Sequence, residues 1–170
     1  MSVSGPEAAA ARARAGTPPR LVAVPGGNGR PDPRPARVVV FLGVADDARS
    51  RVAAALLAHR AKGRVRAVSA SPLAVDPDPA VAASLAELGV DLGAVASEPP
   101  SPALLSGAEL VVVMGYLEGD PADSRRTEDW CIDDPRGKDA DAIRCIRDAI
   151  DRRVQRLLIR MGVALSTRPR

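Results

Sequence analysis

From Arg37 onward, apolar residues gather in short runs separated by polar loops. The run Val38-Val39-Val40-Phe41-Leu42 is continuous, as expected of a parallel strand buried on both faces. An Ala- and Leu-rich stretch over 49–62 predicts a helix stopped by Gly63. A second strand is expected over 65–70. Asp78-Pro79 reads as an N-cap with proline in the first turn, and Gly89 closes that helix. Residues 91–107 carry Pro99, Pro100 and Pro102 and predict irregular chain. A third buried strand is expected over 110–114 and a short fourth over 128–132. The last helix, 139–161, places Ile143, Ile146, Ile150, Val154, Leu157, Leu158 and Met161 at spacings of mostly three and four, an amphipathic stripe. Arg147, Asp148, Asp151 and Arg152 are expected mostly off that stripe.

This order of elements predicts an α/β fold: three layers, α/β/α, around a four-stranded parallel sheet. Sites in such sheets lie at the carboxyl ends of the strands, here just after Leu42, Ala70, Met114 and Ile132.

Composition narrows the function. The chain has 170 residues, enough for one ordinary domain. Its aromatics are Phe41, Tyr116 and Trp130, too few for a base-stacking platform, so a nucleic-acid partner is not expected. Residues 1–36 hold seven of the 16 prolines and no sustained periodicity, and predict a disordered Pro/Arg-rich tail ahead of a domain over 37–165. Five arginines in that tail against Glu7 and Asp32 account for the whole net charge of +3. The remainder is neutral, which argues against a basic binding face. Only Lys62 and Lys138 are lysines, an imbalance that reads as codon usage of a GC-rich genome. Two cysteines without a CxxC pair and a single His59 exclude a Cys/His zinc site, and no metal or cofactor is expected. Cys131, within the fourth strand, reads as a buried inert thiol, and Cys145 lies at the edge of the last helix's stripe. Trp130 is expected in the core and His59 in solvent. No apolar run is long enough to span a bilayer, so a cytoplasmic protein without a membrane partner is the expectation.

The candidate chemistry lies in Gly43-Val44-Ala45-Asp46-Asp47-Ala48-Arg49-Ser50. A tight loop between a strand and a helix turns backbone N–H groups inward, and the helix N-terminus adds positive partial charge. An arginine at its far end can hold an oxyanion with two parallel hydrogen bonds. This is a phosphate-type cradle.

Strand, C-x5-R-S, helix is the signature of the low-molecular-weight protein tyrosine phosphatases and of the arsenate reductases that share their fold, and this chain resembles them. Gly43 stands at the cysteine position, with Arg49-Ser50 at the Arg-Ser. Ser69-Ala70-Ser71 is similar to the family's Ser-Ala-Gly after the second strand. The 81–92 stretch resembles the following helix and its exit, and Val111-Val112-Val113-Met114-Gly115 the third strand. Glu128-Asp129-Trp130 with Asp133-Asp134-Pro135-Arg136-Gly137-Lys138 resembles the strand and Asp-Pro-x-Gly loop of the arsenate reductase branch. The likeness covers about 37–160.

The resemblance implies a loop thiolate as nucleophile, Arg49 as the oxyanion-binding, transition-state-stabilising residue, and Asp134 as general acid. Gly43 has no side chain, so the implied nucleophile is absent and neither Val44 nor Ala45 replaces it. Asp46 and Asp47 add negative charge to the cradle. At 4 Å and an effective dielectric near 20, one like-charge pair costs about 4 kcal/mol. Arg49 is then open to two readings, oxyanion binding or a salt bridge to Asp46 or Asp47. Asp134 is likewise either a general acid or a turn residue before Pro135. Tyr116, after the third strand, is either a binding contact or a packing residue, and the loop it opens has no resolving cysteine. The expected function is a catalytically inactive, oxyanion-binding or regulatory module whose partner is a phosphate-like oxyanion or a protein. The alternative is an enzyme of the same fold using Asp46 or Asp47 as nucleophile or base. Acid pairs after a first strand also hold Mg²⁺ in receiver-like domains, but no acceptor Asp follows the third strand here and no matching Lys a later one.

Overall fold

The structure is a computed structural model that describes residues 37–43, 48–76, 78–95, 97–115 and 127–164. The expected tail over 1–36, the cradle residues Val44, Ala45, Asp46 and Asp47, and Tyr116 lie outside the described residues.

Among the described residues, five parallel strands form one sheet: β1 (Val38–Gly43), β2 (Arg66–Ala70), β3 (Ser97–Glu98), β4 (Leu110–Met114) and β5 (Thr127–Asp129). Their spatial order is β3-β2-β1-β4-β5. Among the described residues, four helices accompany them: α1 (Ala48–Ala61), α2 (Pro79–Ala86) and α3 (Pro102–Ser106) between strands, and α4 (Ala140–Arg160) after β5. The three-layer parallel architecture agrees with the sequence pattern, and the sheet has one strand more than expected. The extra strand, β3, is two residues long and lies in the proline-marked 91–107 stretch, which also holds α3 and a single 3-10 turn at Leu92–Ala94. Two residues are too few for an alternating or apolar signal, so pairing with Ser69 and Ala70 on β2 defines this strand.

Strand periodicity divides the core. Val39 and Phe41 on β1, with Leu110, Val112 and Met114 on β4, pack against α1, α2 and α4. Val40, Leu42, Val111 and Val113 face the other way and bury with Leu105 of α3. Ala53, Ala54 and Ala55 are all buried, so α1 approaches the sheet closely without large aromatics. Trp130 meets Phe41 edge to face, with ring centroids 5.7 Å apart, and is buried as expected.

The helix ends follow local chemistry. Asp78, Ser101 and Asp139 cap α2, α3 and α4 by accepting from the backbone N–H groups of Ala80, Leu104 and Ala142. At the amino end of the sheet, Arg37 donates to both oxygens of Glu109, at 2.6 and 2.7 Å, and to the carbonyl of Met161 that ends α4.

Two expectations are corrected. Cys131 is exposed, because β5 ends at Asp129 and the chain turns Trp130, its neighbour, into the core. Arg147 and Asp151 are buried with relative exposures of 7% and 8%, although their spacing placed them off the apolar stripe. Both lie where α4 packs against another helix, and each finds partners there: Arg147 reaches the Ser84 carbonyl and Glu87, and Asp151 binds Arg60 of α1. Among the described residues, no helix is long and apolar enough to cross a membrane.

Candidate functional site at the carboxyl end of the sheet

The chain leaves β1 for β2 on one side and returns to β4 on the other, so the strand order reverses between β1 and β4. Crevices at such reversals, beyond the carboxyl ends of the strands, are where open parallel sheets bind ligands. Gly43 is the last residue of β1, is buried, and pairs with Met114 of β4. Gly115 follows Met114 with φ +123°, a conformation that side chains rarely adopt.

Arg49, in the first turn of α1, lies over this point. Its Nη1 donates to the Ile132 carbonyl at 2.8 Å, just beyond β5. A Cβ on Gly115 would sit 3.2 Å from its Nη2. The glycine therefore opens the space that the guanidinium fills, and Ile132 fixes its direction. Arg49 is half-buried, and its bond to Ile132 uses one of its five N–H donors.

Ala48 begins α1 and is half-buried, whereas Ser50 points inward and is fully buried. The Ser50 and Ser69 hydroxyls lie 2.9 Å apart, and Ser69 donates to Ser97 at 3.3 Å. These small polar contacts tie the start of α1 to β2 and β3. Whether Arg49 pairs with Asp46 or Asp47 lies outside the described residues.

Asp134 occupies a turn. Its Oδ1 accepts from the Arg136 backbone N–H at 2.9 Å, and its two oxygens accept from the Arg136 Nε at 3.1 and 3.0 Å. These bonds from Arg136 hold the carboxyl below the usual carboxylate range; burial opposes them, and the charges of Arg136 and Arg49 add to them. Asp134 is accordingly ionised at neutral pH, whereas a general acid needs its proton held to higher pH.

Two arginines singled out by no spacing rule also belong here. Arg51 donates to the carbonyls of Val75 and Val95 at 3.1 and 3.3 Å, holding the loop after β2 against the end of the 3-10 turn. Arg136 lines a small cavity of about 30 Å³ together with Ala48, Arg51, Asp76 and Asp78. It also lines an open depression of about 580 Å³ with Asp133, Asp134, Gly137 and Lys138. The Asp-Pro-Arg order was the one local hint, since an aspartate two residues before an N–H commonly closes an Asx turn.

No protein-family model matches the chain. Among solved structures it is similar to an arsenate reductase in the phosphate binding state, with 20% identity over 75% of this chain and 99% of that one, at TM-score 0.65. It is similar to the thioredoxin-dependent arsenate reductase Cg_ArsC1' of Corynebacterium glutamicum, with 29% identity and TM-score 0.63. That match covers 77% of this chain and 64% of the other. It is also similar to a low-molecular-weight protein tyrosine phosphatase from T. tengcongensis, with 17% identity over 74% and 99% of the two chains, at TM-score 0.63. The chain thus has the fold of the arsenate reductases and low-molecular-weight protein tyrosine phosphatases.

Proposed function

We propose that this protein is a catalytically inactive relative of those enzymes that binds a phosphate-like oxyanion, as a sensing or regulatory module, through Arg49 and the 43–50 loop. The observation that carries the reading is Gly43. It ends β1, buried against Met114, at the position where the resemblance puts the nucleophile, and it offers no side chain to attack phosphorus or arsenic. Two further features support it. Arg49 is seated at the strand-order reversal, as an oxyanion ligand requires. Asp134 is ionised and bound to Arg136, so the leaving-group proton has no ready donor there.

The test is calorimetric titration of the full chain with phosphate and with arsenate at low salt, beside Arg49→Ala, together with an aryl phosphate and an arsenate reduction assay. The expected result is binding that Arg49→Ala abolishes, and no turnover. Turnover that disappears in Arg49→Ala would overturn the inactive reading and give the chemistry to Asp46 or Asp47. Absence of binding would move the search to protein partners.

A further inference from the structure

The Asp134–Arg136 pair follows closely on Ile132, whose carbonyl holds Arg49, and is built unlike a structural ion pair. Its partners are two residues apart, and both side chains are substantially exposed, at 35% and 50%. Such a pair costs little to open, because a surface ion pair contributes at most about 1 kcal/mol. Arg49 is bound to Ile132, two residues before Asp134, and its charge reaches the Asp134 carboxylate. Asp133 and Lys138 line the same depression with opposite charges, so they largely offset each other.

A carboxylate chelated by one guanidinium and within the field of a second presents to them what one face of a tetrahedral oxyanion would present. An incoming dianion would meet Asp134 as a like charge and Arg136 as a ready bidentate donor. Resting on the Arg49 reading above, we propose that Asp134 is an internal counter-anion of this site and that an oxyanion binds by exchange: the ligand takes Arg49 and Arg136, and Asp134 turns out to solvent. The site would then select doubly charged tetrahedral anions, such as phosphate, arsenate or a phosphate monoester, over a monocarboxylate, which gains nothing over the resident one. No bond is made or broken, and Arg136 becomes a specificity-determining residue.

The experiment is titration of the full chain with inorganic phosphate at low salt, comparing the parent with Asp134→Asn, Asp134→Ser, Arg136→Ala and Arg49→Ala. Asparagine and serine both keep an oxygen that can accept the Arg136 backbone N–H, so the turn is retained. Removing the resident charge is expected to tighten phosphate binding about threefold to fivefold, the scale of one ion-pair contact near a surface. Arg136→Ala is expected to weaken binding, since Asp134 is then left to Arg49 alone. Opposite signs for the two partners of one ion pair are a result that loss of a merely structural contact does not produce. Parent binding that needs Arg49 but is unchanged or weaker in both Asp134 variants would overturn the exchange and leave the Arg49 reading standing. Failure of the parent and both Asp134 variants to bind would overturn both, as would binding that survives Arg49→Ala.

Discussion

Two carboxylate–arginine clusters in this molecule look alike and are built differently. At the seam of α2 and α4, Glu87 accepts from Arg144 at 2.8 and 3.0 Å and from Arg147 at 2.8 Å, partners 57 and 60 residues away in sequence. Arg147 is buried and also donates to the Ser84 carbonyl at 2.6 Å and to Asp148 at 2.8 Å. At the carboxyl end of the sheet, Asp134 and Arg136 meet across a single turn. A pair two residues apart can form in the unfolded chain as readily as in the folded one, so it adds little to the folding equilibrium. A pair across the α2–α4 seam exists only when the helices are packed, and its buried arginine cannot be left without partners. The comparison teaches that sequence separation and burial, more than hydrogen-bond geometry, decide how far an ion pair holds the fold.

The sharpest way to break this comparison is to truncate the two arginines. Arg147→Ala is expected to cost about 2–4 kcal/mol in urea unfolding, through lost packing of its stem and an orphaned Ser84 carbonyl. Arg136→Ala is expected to stay within about 0.5 kcal/mol of the parent. Equal losses would erase the distinction.

A smaller effect is expected at Gly115, beside Arg49. Gly115→Ala places a Cβ 3.2 Å from the Arg49 Nη2 on a backbone at φ +123°. The expected cost is about 1–3 kcal/mol of backbone strain, read as a lower thermal midpoint, together with loss of phosphate binding as Arg49 is displaced. A variant that binds phosphate like the parent would show that Arg49 needs no such seat.

The smallest effect sharpens the structural side. Hydrogen bonds from Arg144 and then Arg147 hold the Glu87 carboxyl at about 2, against an ordinary value of 4.5. Because the folded value is the lower one, Glu87 contributes stability that is complete above pH 4.5 and is lost as the pH falls toward 2. Glu87→Gln is therefore expected to make the unfolding midpoint less sensitive to pH across that window. Glu87 is exposed, so added salt should shrink the difference. A pH dependence identical to the parent's would mean that the seam's charges are already screened.

Much of the fold was legible because its signals are local. Val38–Leu42 and Leu110–Met114 are continuous apolar runs that only a doubly covered strand accommodates, and both strands form there. Asp78-Pro79 and the Ile143-to-Leu158 stripe carry their caps and faces in the residues themselves. The candidate site was read from the five-residue spacing from Gly43 to Arg49, and the structure describes the two ends of that segment, the close of β1 and the first turn of α1. Around Asp134 only the Asp-Pro-Arg order was a local hint; the added charge of Arg49 depends on the folded chain.

By itself, the sequence determined the parallel α/β architecture and the placement of a glycine, Gly43, at the end of β1, since each follows from residue identity and spacing along one segment. Only the tertiary structure decided that β3 pairs at all, that Arg147 and Asp151 are buried, that Cys131 is exposed and that Gly115 makes room for Arg49. These depend on which distant elements come to lie against one another, and burial and charge pairing are properties of that juxtaposition rather than of any one segment.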